Sequence, residues 1–407
     1  MQDNKKKSKL SEDSKSSMKI VADDISKIGN TVFHQSEKYI KKNYKLRFNE
    51  IALEIESKKL PRGEWGECND NSLWIEIQKE GIKIGHSALK ALLKSEFVPS
   101  YNPLKEYFKN LPVWDGEIDY ILKYANYIQL SPSENKTQFI IQFKKWCVRA
   151  VKCVLNDGYF NKQAFVLTDN GKGQNIGKSS WCRYLCPSEL NRYIAEDLSN
   201  NDKDTRILIC KNFLINMDEL AALSKKEINQ LKSLFSKDQI NDRLPYDSKN
   251  TIIPRVASFI GSTNKSEFLF DETGSVRWLC FVVESIDWDY KGFFDVNLLW
   301  SQAYSLSKNK NFIAEMTKED LIENERRNEK FQSLTQEREL LNKYFDSSNK
   351  NEGTFMTTTD IVEAIKYKSP FSSLNPIQMG KALRAENFEK VKADGVYGCY
   401  VIEKYNN

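Results

Sequence analysis

The chain has 407 residues, of which 40% are hydrophobic and 29% are charged. This composition is ordinary for a globular protein long enough for two or three domains, and it excludes fibrous and mostly disordered classes. The net charge of +5 permits local nucleic-acid-binding patches but does not by itself favour them. No run of about 18 apolar residues occurs, so we expect no membrane partner and a cytoplasmic location. The eight cysteines form no CxxC pair, which argues against structural zinc.

The N-terminal region predicts a disordered tail followed by a small α+β domain. The first 20 residues are rich in lysine and serine and lack apolar periodicity, which is typical of a disordered tail. From Tyr44 onward apolar and polar residues alternate, and the alternation changes phase at Asn49 and Glu50. We interpret this pattern as a β-hairpin that turns at the phase change and continues as a strand over 51–55. Two helices are predicted to follow, at 71–80 and 87–94.

The middle of the chain changes from amphipathic helices to short apolar runs. Segments 111–128 and 138–155 look helical, the second with one apolar face. Beyond residue 163, apolar runs bounded by turns alternate with helices, which implies an α/β sheet with a substantial parallel component. The predicted strands are 163–168, 207–217 (as one strand or two), 256–262 and 278–283.

The last ninety residues or so predict a connector and a second small domain. A charged helix from 317 to about 345 leads out of the sheet. Beyond it, Asp360 and Glu363 resemble a capping box, and a second helix begins after Asn375. A hairpin then turns at 394–395. Helix, helix and hairpin in this order predict a winged helix.

The strongest local signal is a glycine-rich loop directly after the strand predicted at 163–168. The loop reads TDNGKGQNIGKSS and begins a helix, so its backbone N–H groups would surround phosphates, Lys178 would reach the outer phosphates and Ser179 would hold Mg²⁺. A strict GxxxxGK pattern needs glycine at position 172, where this chain has lysine, so the motif alone leaves phosphate binding and chance occurrence equally open. The predicted ATP-binding residues are Gly171, Gly173, Gln174, Asn175, Ile176, Gly177, Lys178, Ser179 and Ser180.

Two adjacent carboxylates, Asp218 and Glu219, follow the apolar segment that ends at Met217. In a phosphate-loop ATPase the first acid orients Mg²⁺ and the second polarises the attacking water, so both lie where a strand ends beside the loop. A solvated helix cap is the alternative, and it is weaker because the pair falls on the strand that the first motif requires. We therefore predict a Mg²⁺ site of Ser179 and Asp218, with Glu219 as a catalytic residue.

Two further candidate catalytic residues follow the strand predicted at 256–262. An amide at Asn264 can hydrogen-bond the γ-phosphate or the attacking water, and an N-cap or Asx turn is the alternative. Arg277 stands thirteen residues further on, beside a glycine turn. It is a candidate arginine finger for a neighbouring subunit's nucleotide, or else a salt-bridge partner of Asp271 or Glu272.

A basic stretch between the acidic pair and Asn264 is a candidate DNA contact. Over 225–255 seven bases face four acids, with Tyr246 and Pro245 among them, which fits a loop or hairpin that contacts DNA. A solvated charged face is the alternative. The predicted contacts are Lys232, Arg243, Tyr246 and Lys249, with Arg255 counted in the same patch, and Lys381 and Arg384 in the predicted winged helix.

Together these motifs resemble the virulence-associated protein E family, whose ATPase core is similar to superfamily III helicases. The resemblance runs from about 111 to 283 and includes LPVWDG, IGKSS, NMDEL, LKSLFSKDQINDRLPY and IGSTNKSEFLFDETGSVRW. It implies a AAA+-like core that assembles as a ring, expected to be a hexamer, with ATP and Mg²⁺ between subunits. It also implies that Asn264 is a sensor and that Arg277 acts in trans. The chain departs from the family at two positions. Lys172 stands where the loop pattern needs glycine, and Val276 stands where the first of two paired arginines is usual.

We therefore expect an α/β protein with a AAA+-like P-loop ATPase core, an N-terminal α+β domain and a C-terminal winged helix. The expected function is that of an ATP-dependent DNA helicase or translocase in replication of a phage, plasmid or other mobile element. Its expected partners are single-stranded DNA in the ring, duplex DNA at the winged helix and a separate primase.

The alternatives are a nucleotide-dependent initiator or switch that unwinds little, and a non-catalytic adaptor with a decayed loop. The expected domains are a basic tail (1–35), the α+β domain (36–110), a helical collar (111–160), the ATPase core (161–310), a helical connector (311–350) and the winged helix (351–407).

Overall fold

The computed structural model describes residues 31–169, 175–196, 202–218, 220, 225–243, 250–265, 267–269, 275–332, 335–370, 372–393 and 395–404. These residues form a mixed α/β structure. Their internal contacts divide them into two compact units between Tyr107 and Phe108. Among the described residues, no helix combines the length and the apolar character needed to cross a membrane.

The first unit packs helices on one face of a four-stranded sheet. Its elements are α1 (Val32–Asn43), β1 (Tyr44–Asn49), β2 (Glu54–Lys59), β3 (Gly66–Glu67), α2 (Asp70–Lys79), α3 (His86–Leu93) and β4 (Ser100–Tyr101). The strands lie in the order β3-β2-β1-β4. Leu46 of β1 packs with Ile40, Leu73, Ile77 and Leu89 of the helices, so burial of one sheet face accounts for the alternating pattern.

The predicted hairpin in this unit is present, but its turn is later than the phase change indicates. Asn49 remains in β1, because its side-chain oxygen accepts hydrogen bonds from the N–H groups of Ile51 (3.0 Å) and Ala52 (2.9 Å). The turn therefore occupies 50–53 and the second strand begins at Glu54. The predicted strand over 51–55 was wrong for residues 51–53, since Ile51 is buried within the turn.

The second unit is built on a six-stranded sheet with helices on both faces. Its elements up to the end of the sheet region are α4 (Pro103–Asn110), which contains the division between the units, α5 (Tyr120–Ala125), β5 (Ile128–Leu130), α6 (Lys136–Leu155), β6 (Ala164–Thr168), α7 (Lys178–Tyr184), a 3₁₀ turn (Ser188–Tyr193), β7 (Ile194–Ala195), α8 (Asp202–Lys211), β8 (Leu214–Met217), α9 (Lys225–Phe235), β9 (Gln239–Asp242), β10 (Thr251–Pro254), β11 (Ser258–Thr263), β12 (Trp278–Ile286), α10 (Tyr290–Phe293) and α11 (Val296–Lys308).

The order of the six strands determines which residues meet at the sheet edge. The order is β5-β12-β6-β11-β8-β7, and all neighbours are parallel except β5 with β12. Strand β11 therefore lies between β6 and β8, and the carboxyl ends of these three strands share one edge. Helix α6 covers one face with Phe143 against Phe165, and α9 covers the other with Phe235 against Trp278. Because both faces are covered, the strands are continuous apolar runs.

Two predicted elements before the edge strands differ from the structure. The segment 111–128 is helical only over α5, since Gly116 has a φ of 86° and Asp119 caps the helix at the N–H of Leu122 (3.0 Å). The segment 207–217 is a strand only from Leu214, because residues 207–211 belong to α8. A short apolar run fits a buried helix face as well as a strand, and here Cys210 packs under β10 with its thiol 3.5 Å from the carbonyl oxygen of Ile253.

The charged helix predicted from 317 to about 345 is two helices, α12 (Lys318–Asn328) and α13 (Gln336–Tyr344), with a 3₁₀ turn (Glu329–Phe331) after the first. The side-chain amides of Asn324 and Asn328 both donate to the carbonyl oxygen of Trp278, at 3.0 and 2.7 Å. These bonds hold α12 against the sheet, so it is part of the core unit and not a solvated connector.

The C-terminal segment has its own apolar core. Its elements are β13 (Phe345–Ser347), β14 (Thr354–Met356), α14 (Thr358–Lys368), α15 (Pro376–Ala385), β15 (Val391–Ala393) and β16 (Val396–Glu403). Strand β16 pairs with β13, β14 and β15. The capping box is formed by Thr357 with Asp360, not by Asp360 with Glu363, because Thr357 is the N-cap. Helices α14 and α15 and the β15–β16 hairpin follow in the predicted order, and Asn375 caps α15.

Candidate functional site

Three strands end in polar residues at one edge of the large sheet. Strand β6 leads into Asp169, β8 into Asp218 and β11 into Asn264. Helix α7 begins at the same edge with Lys178. These residues are far apart in sequence, and the parallel order of β6, β11 and β8 brings them together.

The ammonium group of Lys178 is at the centre of this edge. Its Nζ donates hydrogen bonds to the carboxylate of Asp169 (2.6 Å) and to the side-chain oxygen of Asn264 (2.9 Å). The Lys178 side chain is only 5% exposed and that of Asp169 only 2%. A buried ammonium requires such partners, so the structure presents Lys178 as a charge held in place beside the sheet.

A second group of side chains lies next to Lys178. The hydroxyl of Ser179 is 2.6 Å from Oδ1 of Asp218, and the hydroxyl of Ser262 is 2.7 Å from the same oxygen. The two hydroxyls are 2.9 Å apart. Hydroxyl and carboxylate oxygens are the ligands that hard cations such as Mg²⁺ prefer, so this donor set fits the ion predicted for Ser179 and Asp218.

The residue before Lys178 has to be glycine on two grounds. Gly177 has a φ of 94°, a left-handed conformation in which other residues are strained. A Cβ at this position would also be 2.5 Å from the indole ring of Trp288. The chain therefore turns into α7 at a place where the backbone itself is closely packed.

A hydrogen-bond network links the last turn of α7 to β8. Arg183 donates two hydrogen bonds to Glu196, at 2.6 and 3.0 Å, and these bonds raise the pKa of the guanidinium. Asn216 of β8 donates to Glu196 at 2.8 Å. Burial raises the pKa of the Cys182 thiol on α7, so this cysteine remains a neutral packing residue.

A cavity of about 440 Å³ lies along one side of α7. Its walls combine aromatic rings with charged and amide side chains. The residues that matter here are Ser180, Arg183, Tyr184, Lys291, Phe294 and Asn297. Ser180, the residue after Ser179, belongs to this lining.

The structure places Arg277 away from this edge. Arg277 immediately precedes β12, whose first residue Trp278 pairs with Ala164 at the beginning of β6. The polar edge is at the other end of β6, after Thr168. The guanidinium of Arg277 donates to the hydroxyl of Ser236 at 3.1 Å, so it cannot act on a ligand bound to Lys178 of its own chain.

The predicted DNA contacts are distributed over two places. Strands β9 and β10 form an antiparallel hairpin, and Arg243 is exposed just beyond β9 while Lys232 is half-buried on α9. In the C-terminal segment Lys381 is half-buried and Arg384 is exposed, both on α15. On the β15–β16 hairpin the ammonium groups of Lys390 and Lys392 lie 4.4 and 5.5 Å from the ring centroid of the exposed Tyr397.

Arg255 does not belong to the DNA patch in which it was counted. Its side chain is 1% exposed, and burial lowers the pKa of the guanidinium. The guanidinium donates to five main-chain carbonyl oxygens at 2.7 to 3.3 Å, those of Leu234, Phe235, Lys237, Ala257 and Asn161. The carbonyls of Leu234 and Phe235 end helix α9, so Arg255 neutralises a helix C-terminus.

Several predicted residues lie outside the described part of the chain. They are Gly171, Gly173, Gln174 and Glu219 at the site, Tyr246 and Lys249 in the β9–β10 connection, and the alternative Arg277 partners Asp271 and Glu272. Asn175, Ile176, Gly177 and Ser180 are described and lead into or begin α7. Two site residues were missed by the sequence analysis, Asp169 and Ser262. An acid directly after a predicted strand was an available signal for Asp169, whereas Ser262 lies within a buried strand and had none.

These features define a mixed α/β protein whose parallel sheet gathers ammonium, carboxylate, hydroxyl and amide groups at one edge. The family model described as "Virulence-associated protein E-like domain" matches residues 110–333. The chain therefore belongs to the virulence-associated protein E-like family, as the sequence resemblance predicted.

Among solved structures, the apo structure of the NrS-1 C-terminal region (305–718) is 12% identical, with 92% of this chain and 99% of that chain covered and a TM-score of 0.48. A putative ATPase from Cytophaga hutchinsonii is 11% identical, with 70% and 96% covered and a TM-score of 0.23. A comparison with curated proteins gives no match.

Proposed function

We propose that this chain is an ATP hydrolase with a AAA+-like phosphate-loop core and that it moves on DNA as a helicase or translocase during replication of a mobile element. The observation that carries the proposal is the pair of adjacent clusters at one sheet edge. Lys178 meets Asn264 at 2.9 Å, and Ser179 meets Asp218 at 2.6 Å. A phosphate-binding cation beside an oxygen cluster suited to Mg²⁺ is the arrangement that phosphoryl transfer requires.

Each side chain has a role in this scheme. Lys178 would neutralise the outer phosphate oxygens, and Ser179 with Asp218 would hold Mg²⁺. The ion, when bound, would withdraw charge from the phosphate oxygens. Asn264 would hydrogen-bond the γ-phosphate or the attacking water, and Glu219, the residue after Asp218, would polarise that water.

The cavity along α7 suits the remainder of the nucleotide. Its volume of about 440 Å³ is within the range of small-molecule pockets. The rings of Tyr184 and Phe294 would contact the base, and the side chain of Asn297 would supply polar recognition. Ser180 lines the cavity and is two residues from Lys178, so we propose that a phosphate chain bound at Lys178 leads towards it.

Two surfaces are proposed to contact DNA. The β9–β10 hairpin with Arg243 would track a single strand in an oligomeric ring, for which a hexamer is expected. The C-terminal segment is proposed to be a winged helix, in which α15 with Arg384 and the β15–β16 hairpin would contact duplex. In such a ring Arg277, which points away from its own site, would serve the nucleotide of the neighbouring subunit.

The decisive experiment measures ATP hydrolysis by the full chain with and without single-stranded DNA. Wild-type protein should hydrolyse ATP, and DNA should stimulate it. Lys178→Ala should reduce the rate to background, because it removes the buried ammonium that contacts Asp169 and Asn264. Lys162→Ala is the matched control, since Lys162 is exposed before β6 and away from the edge. Equal rates for wild type and Lys178→Ala would refute the proposal.

A second candidate function is a nucleotide-dependent initiator that binds duplex DNA but unwinds little. The exposed Tyr397 with its two flanking lysines favours duplex binding whichever function is correct. A strand-displacement assay separates the two functions, because only a helicase releases the annealed strand in an ATP-dependent reaction.

A further inference from the structure

We propose that Asp169 is a positioning residue for Lys178, and that its carboxylate occupies the place of a phosphate oxygen until a nucleotide displaces it. The inference rests on the proposed nucleotide site and goes beyond it, because it assigns that site an internal competitor. The loop motif, the acidic pair and the sensor amide together leave Asp169 without a role.

The geometry of the pair supports a stand-in for phosphate. The Asp169 carboxylate is 2.6 Å from Nζ of Lys178, which is the short distance of a charge-assisted hydrogen bond. The same ammonium also donates to Asn264, the residue proposed to meet the γ-phosphate. The anion that now neutralises Lys178 is thus adjacent to the position proposed for the terminal phosphate.

Burial makes the competition strong. Both side chains are almost fully shielded, with 5% of Lys178 and 2% of Asp169 exposed. Removing one partner of a buried ion pair leaves an uncompensated charge. The ammonium therefore retains Asp169 until another anion replaces it. Phosphate is such an anion, and its arrival would place two negative groups beside one ammonium unless the carboxylate moves away.

The test compares nucleotide binding by the full chain of wild type and Asp169→Asn. The amide can still accept a hydrogen bond from Lys178 but no longer neutralises it. We expect Mg²⁺-ADP and a non-hydrolysable ATP analogue to bind Asp169→Asn about tenfold more tightly. We also expect these ligands to raise its thermal midpoint by more than they raise that of wild type. Glu284→Gln removes an exposed acid and is the control for net charge, so its affinity should stay within about twofold of wild type.

The outcomes separate this inference from the proposed function. Unchanged or weaker binding by Asp169→Asn, or a lower midpoint with an unchanged ligand-induced rise, overturns the role of Asp169 alone. If wild type itself gives no nucleotide-dependent rise, the proposed function fails and the inference fails with it. If unliganded Asp169→Asn does not fold, its soluble yield should be restored by ADP, and equal loss with and without ADP refutes the inference.

Discussion

Replacement of Arg255 should lower the stability of the protein and leave DNA binding intact. Its place in the basic stretch over 225–255 predicts a role in DNA binding instead. The guanidinium donates to five main-chain carbonyl oxygens at 2.7 to 3.3 Å. A net contribution of about 1 kcal/mol for each bond would total about 5 kcal/mol. A methionine also avoids the cost of burying a charge, which offsets part of this sum. We therefore expect Arg255→Met to lower the free energy of unfolding by about 3 to 5 kcal/mol.

The assay is thermal or urea unfolding of the full chain together with DNA binding by the folded fraction. Arg243→Ala is the reciprocal control, because Arg243 is exposed beyond β9. It should change stability by less than about 0.5 kcal/mol and weaken binding to single-stranded DNA. A stable Arg255→Met protein with reduced DNA affinity would refute the reasoning, since it would mean that Arg255 leaves its carbonyl cage to contact DNA.

Four further results are expected. Glu219→Gln should bind ATP normally and hydrolyse it at least about a hundredfold more slowly in a steady-state assay; a parallel loss of binding would make Glu219 structural. Mixing Lys178→Ala with Arg277→Ala should restore ATPase activity that neither has alone, and mixed oligomers of confirmed mass without activity would exclude a trans finger. Replacing Lys390 and Lys392 by alanine should weaken duplex binding and reduce its salt dependence, with ATPase activity unchanged. An unaltered affinity for duplex DNA would exclude this contact. Burial tends to raise the pKa of Asp119, but hydrogen bonds from Lys144 and a backbone N–H hold this pKa below its ordinary value. The stabilisation is therefore complete above the ordinary carboxyl pKa and is lost as the pH falls through the pKa of Asp119 in the folded protein. Asp119→Asn should lower the thermal midpoint at neutral pH and make that midpoint fall less steeply in acid.

The elements that the sequence predicted well are those with an unambiguous pattern. The long apolar stripe of α6 and the continuous apolar runs of β6, β11 and β12 correspond to observed elements, because each is buried against the same core. The short run at 207–211 was misassigned, since four apolar residues in a row fit a helix face as well as a strand. In the helix Cys210 packs under β10, a contact that local sequence does not reveal.

The site was predictable as far as its motifs were local. Lys178, Ser179 and Asp218 stand in patterns whose chemistry dictates their spacing. Asp169 and Ser262 join them only because β11 lies between β6 and β8, and strand order is a non-local property. The same limit explains Arg255. Its immediate neighbours in sequence are apolar, and four of its five carbonyl partners come from two distant segments, 234–237 and residue 161.

The buried cations show how the molecule separates its site from its scaffold. Three basic side chains are buried in the described part of the chain, those of Arg149, Lys178 and Arg255. Arg149 donates to Asn161 and to the carbonyl oxygen of Ala314, and burial lowers its pKa to about 10. Neutral oxygens hold both arginines, and all of them except the side-chain oxygen of Asn161 are main-chain carbonyls. Lys178 alone among the three is held by a carboxylate, and a carboxylate is the kind of partner that a phosphate can displace. The chemistry of the partner, more than the burial of the cation, therefore supports the proposal that Lys178 binds a ligand.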